Sequence, residues 1–300
     1  LRMQDPADVV RRLALLPKQR ERCQKLMDGL RYVVGQKLWV ERCYYGGSFA
    51  RESALNYKFD ADVVFFLEDF DPYEAEEYHH DCRNQLASEF YRGVQIAGSK
   101  SPFCTTVTAG GFLKLDIVIT GDPDYCMVHG KRRFFSGAGS PEVDNEFLAF
   151  AQRHSKYRPL VLLCKHWKHL DARSQKFTSY HIELLCQEVV LHKEDGDRLQ
   201  DLFRKFLQTI ANGDHSVHNP NEYNEDWLEL PDRLARDLEQ YASETLGEYH
   251  KYIRPGNNSR CPMCAEQRFT SAVGAVQHIE SGSCTGCLGQ QNARKAIYDF

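Results

Sequence analysis

The sequence predicts an α+β fold: a mixed core, then a helical lobe, then a small C-terminal metal-binding module. Three observations carry that prediction. Through the first half, short runs of β-branched and aromatic residues such as Val63-Val64-Phe65-Phe66-Leu67 alternate with helical patterns. From residue 143 onward helical periodicity dominates. At the end, Cys261-Pro262-Met263-Cys264 precedes two further cysteines, Cys284 and Cys287. The expected division is 1–142 for the core with its N-terminal helix, 143–255 for the helical lobe and 256–300 for the module and tail. A cleft is expected between core and lobe.

A chain of 300 residues buries a sizeable core. Its net charge of −4 argues against one large nucleic-acid-binding surface and leaves room for a local basic patch. No apolar run is long enough to cross a bilayer, so no membrane partner is expected. Leu1-Arg2-Met3-Gln4-Asp5-Pro6 lacks the apolar core of a secretory signal. A reducing compartment is therefore expected, cytoplasmic with the nucleus as alternative. Cys23, Cys43, Cys82, Cys104, Cys126, Cys164 and Cys186 then read as reduced thiols, mostly in apolar segments.

In chain order, residues 7–35 read as helix, with Pro17 as a break or restart. Residues 38–45 read as a strand entering the turn Gly46-Gly47-Ser48, and the strand opened by Asp60-Ala61-Asp62 follows. A charged helix is expected over 74–92. Strands are expected over 103–108 and 112–120, joined by the hairpin turn Ala109-Gly110-Gly111. Tyr125–Ser140 reads as loop. Helices are expected over 143–153, 157–170, 178–193, 196–211 and 231–253, with a loop over 212–230.

The chemistry concentrates on Gly46–Asp62. Bare backbone N–H groups of a Gly-Gly-Ser turn can approach an anion, with the Ser48 hydroxyl added. Strand alternation puts Asp60 and Asp62 on one face, where two carboxylates repel unless a cation neutralises them. Paired oxygen ligands suit Mg²⁺. Asp116, between Leu115 and Ile117, would be costly to bury unpaired. Three carboxylates from neighbouring strands can hold two metal ions, as an in-line nucleotidyl displacement requires. The plain alternative for Asp116 is an outward charge beside Lys114.

The helical half has its own polar set. Between Arg153 and Lys176 seven Lys or Arg face one acid, Asp171. Lys165 lies in an apolar run and reads either as a snorkelling side chain or as a point charge for a triphosphate. Thr178 or Ser179 is a plausible N-cap, with Glu183 to complete a capping box. A helix start favours anions, and Tyr180 there can stack on a base. His166, Trp167 and His181 read as packing or surface residues. At the C-terminus Cys261 and Cys264 are followed by His278 and Cys284, a spacing that fits a closed, structural Zn²⁺ site, with Cys287 as an alternative fourth ligand.

Gly46-Gly47-Ser48 followed by Asp60-Ala61-Asp62-Val63-Val64 resembles the nucleotidyltransferase motif of the DNA polymerase β superfamily. More narrowly it resembles the branch of 2′-5′-oligoadenylate synthetase and cyclic GMP-AMP synthase. Leu115-Asp116-Ile117-Val118 looks like that family's third-carboxylate strand. Leu163-Cys164-Lys165-His166-Trp167 looks like its lysine-bearing helix, and Thr178-Ser179-Tyr180-His181 is similar to its triphosphate- and base-contacting segment. Asn219-Pro220-Asn221 falls where the synthetases have an Asp/Asn-Pro loop. The resemblance covers about residues 7–253. Ala50-Arg51-Glu52-Ser53 lacks the Gly-Lys-Gly character of animal synthetases, and the cysteine module does not sit where the cyclic synthase inserts its zinc loop.

The resemblance implies a polymerase β-like nucleotidyltransferase core plus helical lobe. It implies an enzyme that joins ATP or other nucleoside triphosphates without a template and releases pyrophosphate. Asp60, Asp62 and Asp116 would hold two Mg²⁺; Gly47, Ser48, Lys165 and Ser179 would grip phosphates; Tyr180 would stack on a base. Activation by double-stranded RNA would use Arg11, Arg12, Lys18, Arg20 and Arg22 with the basic run 153–176. Other readings stay open: a cyclic dinucleotide synthase, an RNA 3′-end nucleotidyltransferase, or an inactive nucleotide- or RNA-binding module.

Overall fold

Val63–Leu67 are buried along their whole length, as are Leu115 and Ile117–Ile119 on either side of half-buried Asp116, and the two runs become neighbouring inner strands of one sheet. A computed structural model of the chain describes residues 6–35, 38–57, 60–71, 73–89, 94–97, 104–109, 113–121, 141–194, 196–220, 227–253, 259–260 and 268–269. Its main sheet has five strands: β1 (Val40–Gly46), β2 (Asp60–Leu67), β3 (Val94–Ala97), β4 (Thr105–Ala109) and β5 (Leu113–Thr120). Their spatial order is β1-β2-β5-β4-β3. The pair β2–β5 is parallel and the other pairs are antiparallel. Strands buried on both faces belong to a sheet covered by other elements.

The N-terminal stretch divides into α1 (Pro6–Leu13) and α2 (Pro17–Gly35). Pro17 opens α2, where its missing N–H costs nothing. Cys23, Met27, Leu30 and Val34 of α2 are buried in the sheet core together with Cys82 and Leu86 of α4 (Ala75–Glu89). α1 goes elsewhere: Leu13 packs with Leu55 and with Leu162 of the helical half. The segment Gly47–Ala50, expected as a turn, is a four-residue helix, α3. Strand β3 had no counterpart among the expected elements. The Gly110-Gly111 turn and the loop 125–140 lie outside the described residues, although the pairing of Ala109 with Leu113 is that of a hairpin.

The second half forms α5 (Pro141–Arg153), α6 (Tyr157–Lys168), α7 (Ser179–Leu191), α8 (Leu199–Ala211) and α9 (Asp232–Ile253), with a 3₁₀ turn at Ala172–Ser174. These helices surround a second core that includes Phe147, Tyr157, Trp167, Phe177 and Phe206. The stretch 212–230 carries a small ladder, β6 (Val217–His218) with β7 (Trp227–Leu228). A last ladder pairs β8 (Ser259–Arg260) with β9 (Arg268–Phe269). Cys261, Cys264, His278, Cys284 and Cys287 lie outside the described residues. Among the described residues, no helix is long and apolar enough to cross a membrane.

Candidate functional site: a carboxylate face locked to the helical lobe

Strand register builds the centre of the site. Gly46 of β1 pairs with Asp62 of β2, and Asp62 pairs with Asp116 of β5. Asp62 and Asp116 are therefore side by side, both half-buried. Asp60, two positions before Asp62, pairs with Lys114 and shares the parity of Asp62 along the strand. Asp116 accepts the Thr106 hydroxyl on Oδ1 and the Lys114 ammonium on Oδ2, each at 2.7 Å. So Asp116 does stand beside Lys114, as the plain reading had it, and it also stands beside Asp62.

The Gly-Gly-Ser turn closes over this face. Gly47 has φ +66°, the left-handed region in which glycine is at no disadvantage. A Cβ on Gly47 would lie 1.9 Å from Asp62 Oδ2, inside any contact distance. Glycine is thus required for the Asp62 carboxylate to lie against the backbone of the turn. The turn is tightened by Arg51 N–H to Gly47 O at 3.1 Å and Ser53 N–H to Ser48 O at 2.9 Å. Ser48 is half-buried within it.

This pocket fits Mg²⁺. Asp62 and Asp116 offer oxygen donors from neighbouring positions of a parallel ladder, and the missing Cβ of Gly47 is what lets the Asp62 carboxylate take its place there. Among the described residues no group of three or more His, Cys, Asp or Glu converges on one point. The described carboxylates of this face are Asp62 and Asp116, and the side chain of Asp60 is outside the description.

A buried charge cluster fastens the turn to the helical lobe. Arg51 Nε donates to Glu183 Oε2 at 2.6 Å, and its Nη1 donates to Asp144 Oδ1. Lys165 Nζ donates to Glu183 Oε1 at 2.5 Å and to the Ser53 carbonyl at 3.0 Å. The Ser53 hydroxyl donates to Glu183 Oε1 at 2.9 Å. Gly47 N–H donates to Asp144 Oδ2 at 3.1 Å. Arg51, Ser53, Asp144, Lys165 and Glu183 are all at least nine-tenths buried. Two cations and two anions balance, which is the condition for burying them.

Electrostatics follow from this geometry. Burial opposes ionisation of Glu183, but Arg51 and Lys165 outweigh it and draw its carboxyl down to about 2. Burial pushes Asp144 up, with Arg51 opposing. Burial also pulls Lys165 down, against the attraction of Glu183. The two members of the Lys165–Glu183 pair thus shift in directions that favour opposite charge states for the pair. The carboxylate's direction governs: Glu183 faces two cations and a hydroxyl donor, so the ionised pair holds.

Lys165, read either as a snorkelling side chain or as a point charge for a triphosphate, donates its ammonium to Glu183 and Ser53 and braces the turn from behind. The capping box expected at α7 is corrected. Thr178 is the N-cap, accepting from His181 N–H at 3.1 Å, while Glu183 lies in the charge cluster. Ser179 begins α7, half-buried. Tyr180 donates its hydroxyl to Asn219 Oδ1 at 2.8 Å, and its ring lies 5.9 Å from the Arg51 guanidinium. Burial pushes the Tyr180 phenol up to about 12. The turn, Asp62, Asp116 and the charge cluster form one connected unit, and Tyr180 borders it.

Part of the basic run 153–176 is paired with acids, while Arg153 and Lys176 are exposed. Besides Lys165, Arg158 pairs with Glu52 at 2.7 Å and Arg173 pairs with Asp171 and Glu244. On α2, Arg20 faces Glu52 as well, at 3.9 Å. Glu52 and Glu244, distant in sequence, and Asp171, two residues from Arg173, neutralise these cations.

Arg51, Asp144 and Glu183 were missed as site residues. Glu183 carried the same signal as Asp116, a carboxylate inside an apolar run, and a cap explained it away. Asp144 gave no signal among the polar residues Glu142, Asn145 and Glu146.

No protein-family model matches this sequence, and no curated protein does either. Solved structures do resemble the fold. E. coli MS115-1 CdnC, in its complex with HORMA-deltaN, matches with a TM-score of 0.61 at 15% identity, over 84% of this chain and 93% of that one. The STING-associated CdnE c-di-GMP synthase from Capnocytophaga granulosa matches at 0.59 and 13% identity, over 81% and 86%. A cytoplasmic RNA terminal U-transferase matches at 0.52 and 13% identity, over 82% and 90%. The chain has the nucleotidyltransferase fold.

Proposed function

We propose that this protein is a template-independent nucleotidyltransferase that moves a nucleoside monophosphate from a triphosphate, ATP first, to a hydroxyl acceptor and releases pyrophosphate. One observation carries the reading: the register that sets Asp62 beside Asp116 directly under a glycine turn shaped around Asp62. Asp60, Asp62 and Asp116 would hold Mg²⁺, which supplies charge neutralisation of the phosphates and a lowered pKa for the acceptor hydroxyl. Gly47 shapes the turn, its own N–H held by Asp144 Oδ2, so that Ser48 meets the donor phosphates, and Ser179 at the start of α7 adds to that grip. Tyr180 stacks on a base. Arg51, Asp144, Glu183 and Lys165 act through the turn, holding it in place for the phosphates.

For the product, the resemblance to oligoadenylate synthetase supports a first reading of 2′-5′-linked oligoadenylates, with double-stranded RNA as the activator to test. A second reading has an observation in its favour: the likeness to the c-di-GMP synthase CdnE supports a cyclic dinucleotide. The C-terminal module is proposed to bind Zn²⁺ through Cys261, Cys264, His278 and Cys284. The ladder of β8 with β9 supports this, because it brackets the Cys261–Cys264 knuckle. The experiment is to incubate the chain with Mg²⁺ and the four triphosphates, with and without double-stranded RNA, and to read products by mass and linkage-selective nucleases. Linear 2′-5′ products support the first reading and cyclic products the second. No product under either condition overturns the proposal.

A further inference from the structure

Lys114 has no part in the chemistry proposed above, yet it stands inside the carboxylate face. It lies on β5 two residues before Asp116, so both side chains share one side of the strand. Its register partner on β2 is Asp60, and that of Asp116 is Asp62. Its ammonium is 2.7 Å from Asp116 Oδ2, while the Thr106 hydroxyl holds Oδ1 at the same distance. The Lys114 side chain is 41% exposed and that of Asp116 20%, so the stem of the lysine has room to swing while the carboxylate is confined.

Two cations cannot share one carboxylate oxygen without strong repulsion at such short range. A divalent ion reaching Asp116 Oδ2 has to drive the ammonium away. Resting on the metal-binding reading of these aspartates, we propose that Lys114 is a built-in competitor for metal at Asp116. As a positioning residue it holds the third carboxylate in place until a divalent cation displaces its ammonium. It thereby sets the metal concentration at which the site loads.

The test is Mn²⁺ binding to the full chain, read as free Mn²⁺ by electron paramagnetic resonance, with unfolding midpoints measured in parallel. Lys114→Met is expected to lower the Mn²⁺ Kd about tenfold, the scale of one half-exposed ion pair together with its like-charge repulsion. Lys114→Arg keeps the cation and is expected to stay close to wild type. Asp116→Asn removes the contested oxygen, so adding Lys114→Met to it should change little. A Lys114→Met protein with wild-type or weaker Mn²⁺ affinity overturns the proposal. Wild-type Mn²⁺ binding that survives both Asp62→Asn and Asp116→Asn is a different failure, that of the metal-site reading itself.

Discussion

Replacing Glu183 by Gln should destabilise the protein severely, and replacing Lys165 by Met together with it should restore part of the loss. Glu183 is fully buried and accepts from Arg51 at 2.6 Å, Lys165 at 2.5 Å and Ser53 at 2.9 Å. Two routes give the magnitude. Removing one partner of a buried ion pair costs about 3–5 kcal/mol. The depression of the Glu183 carboxyl from 4.5 to about 2 corresponds to about 3 kcal/mol. Glu183→Gln leaves two buried cations against Asp144 alone, and Lys165→Met leaves Arg51 against two carboxylates. The double variant leaves Arg51 with Asp144, so the charges balance again. Unfolding in urea, followed by the fluorescence of buried Trp167, measures the cycle. The double variant should lie at least about 1 kcal/mol above the sum of the singles. Near-wild-type single variants, or strict additivity, would refute the charge-balance argument. The pH dependence has a fixed sign. A carboxyl depressed in the folded state contributes its stability above about 4.5, and that contribution disappears as pH falls toward 2. Asp144, raised by burial, opposes this in part. Glu183→Gln should therefore flatten the acid limb of the stability curve.

Gly47→Ala should cut turnover about a hundredfold or more, because the new methyl group occupies the place of Asp62 Oδ2 and a 1 Å displacement of a reacting group costs about that much. A variant with wild-type kcat would refute it. Glu52 holds φ +57°, a conformation that costs a non-glycine residue about 1–2 kcal/mol, while its exposed pairs with Arg20 and Arg158 return about 1 kcal/mol or less. Glu52→Gly should thus leave stability unchanged or raise it; a loss beyond about 1 kcal/mol would show that the ion pairs dominate. Metal analysis of the purified chain should find one Zn²⁺ per chain, lost in Cys261→Ser. A metal-free native chain would remove the C-terminal site.

The parts of the fold legible in the sequence were those with a local cause. Val63–Leu67 and Leu115–Ile119 announce buried strands by composition, and Pro17 marks the start of α2 by its missing N–H. Asp62 was legible from its spacing to Asp60 at the opening of a strand, and Asp116 because a carboxylate inside an apolar strand demands a reason. Strand β3 was missed because four residues between unassigned stretches carry too short a pattern to stand out. The contacts of Lys165 were hidden for a different cause. Its partners are Ser53, 112 positions away, and Glu183, 18 positions away, and nothing local to the lysine shows which anion it will meet. Asp144 is silent in sequence for the same reason, since its partner Arg51 is 93 positions away. Charge pairing of this kind is a property of the fold rather than of any window of residues.

The central claim is that the Asp62–Asp116 face performs nucleotidyl transfer. The most direct measurement is pyrophosphate release from the four triphosphates with Mg²⁺, with and without double-stranded RNA, compared between wild type, Asp62→Asn and Asp116→Asn. Wild type should release pyrophosphate, and release should fall by about a hundredfold or more in each variant while their unfolding midpoints stay near wild type. Variants that release pyrophosphate at the wild-type rate would contradict the claim.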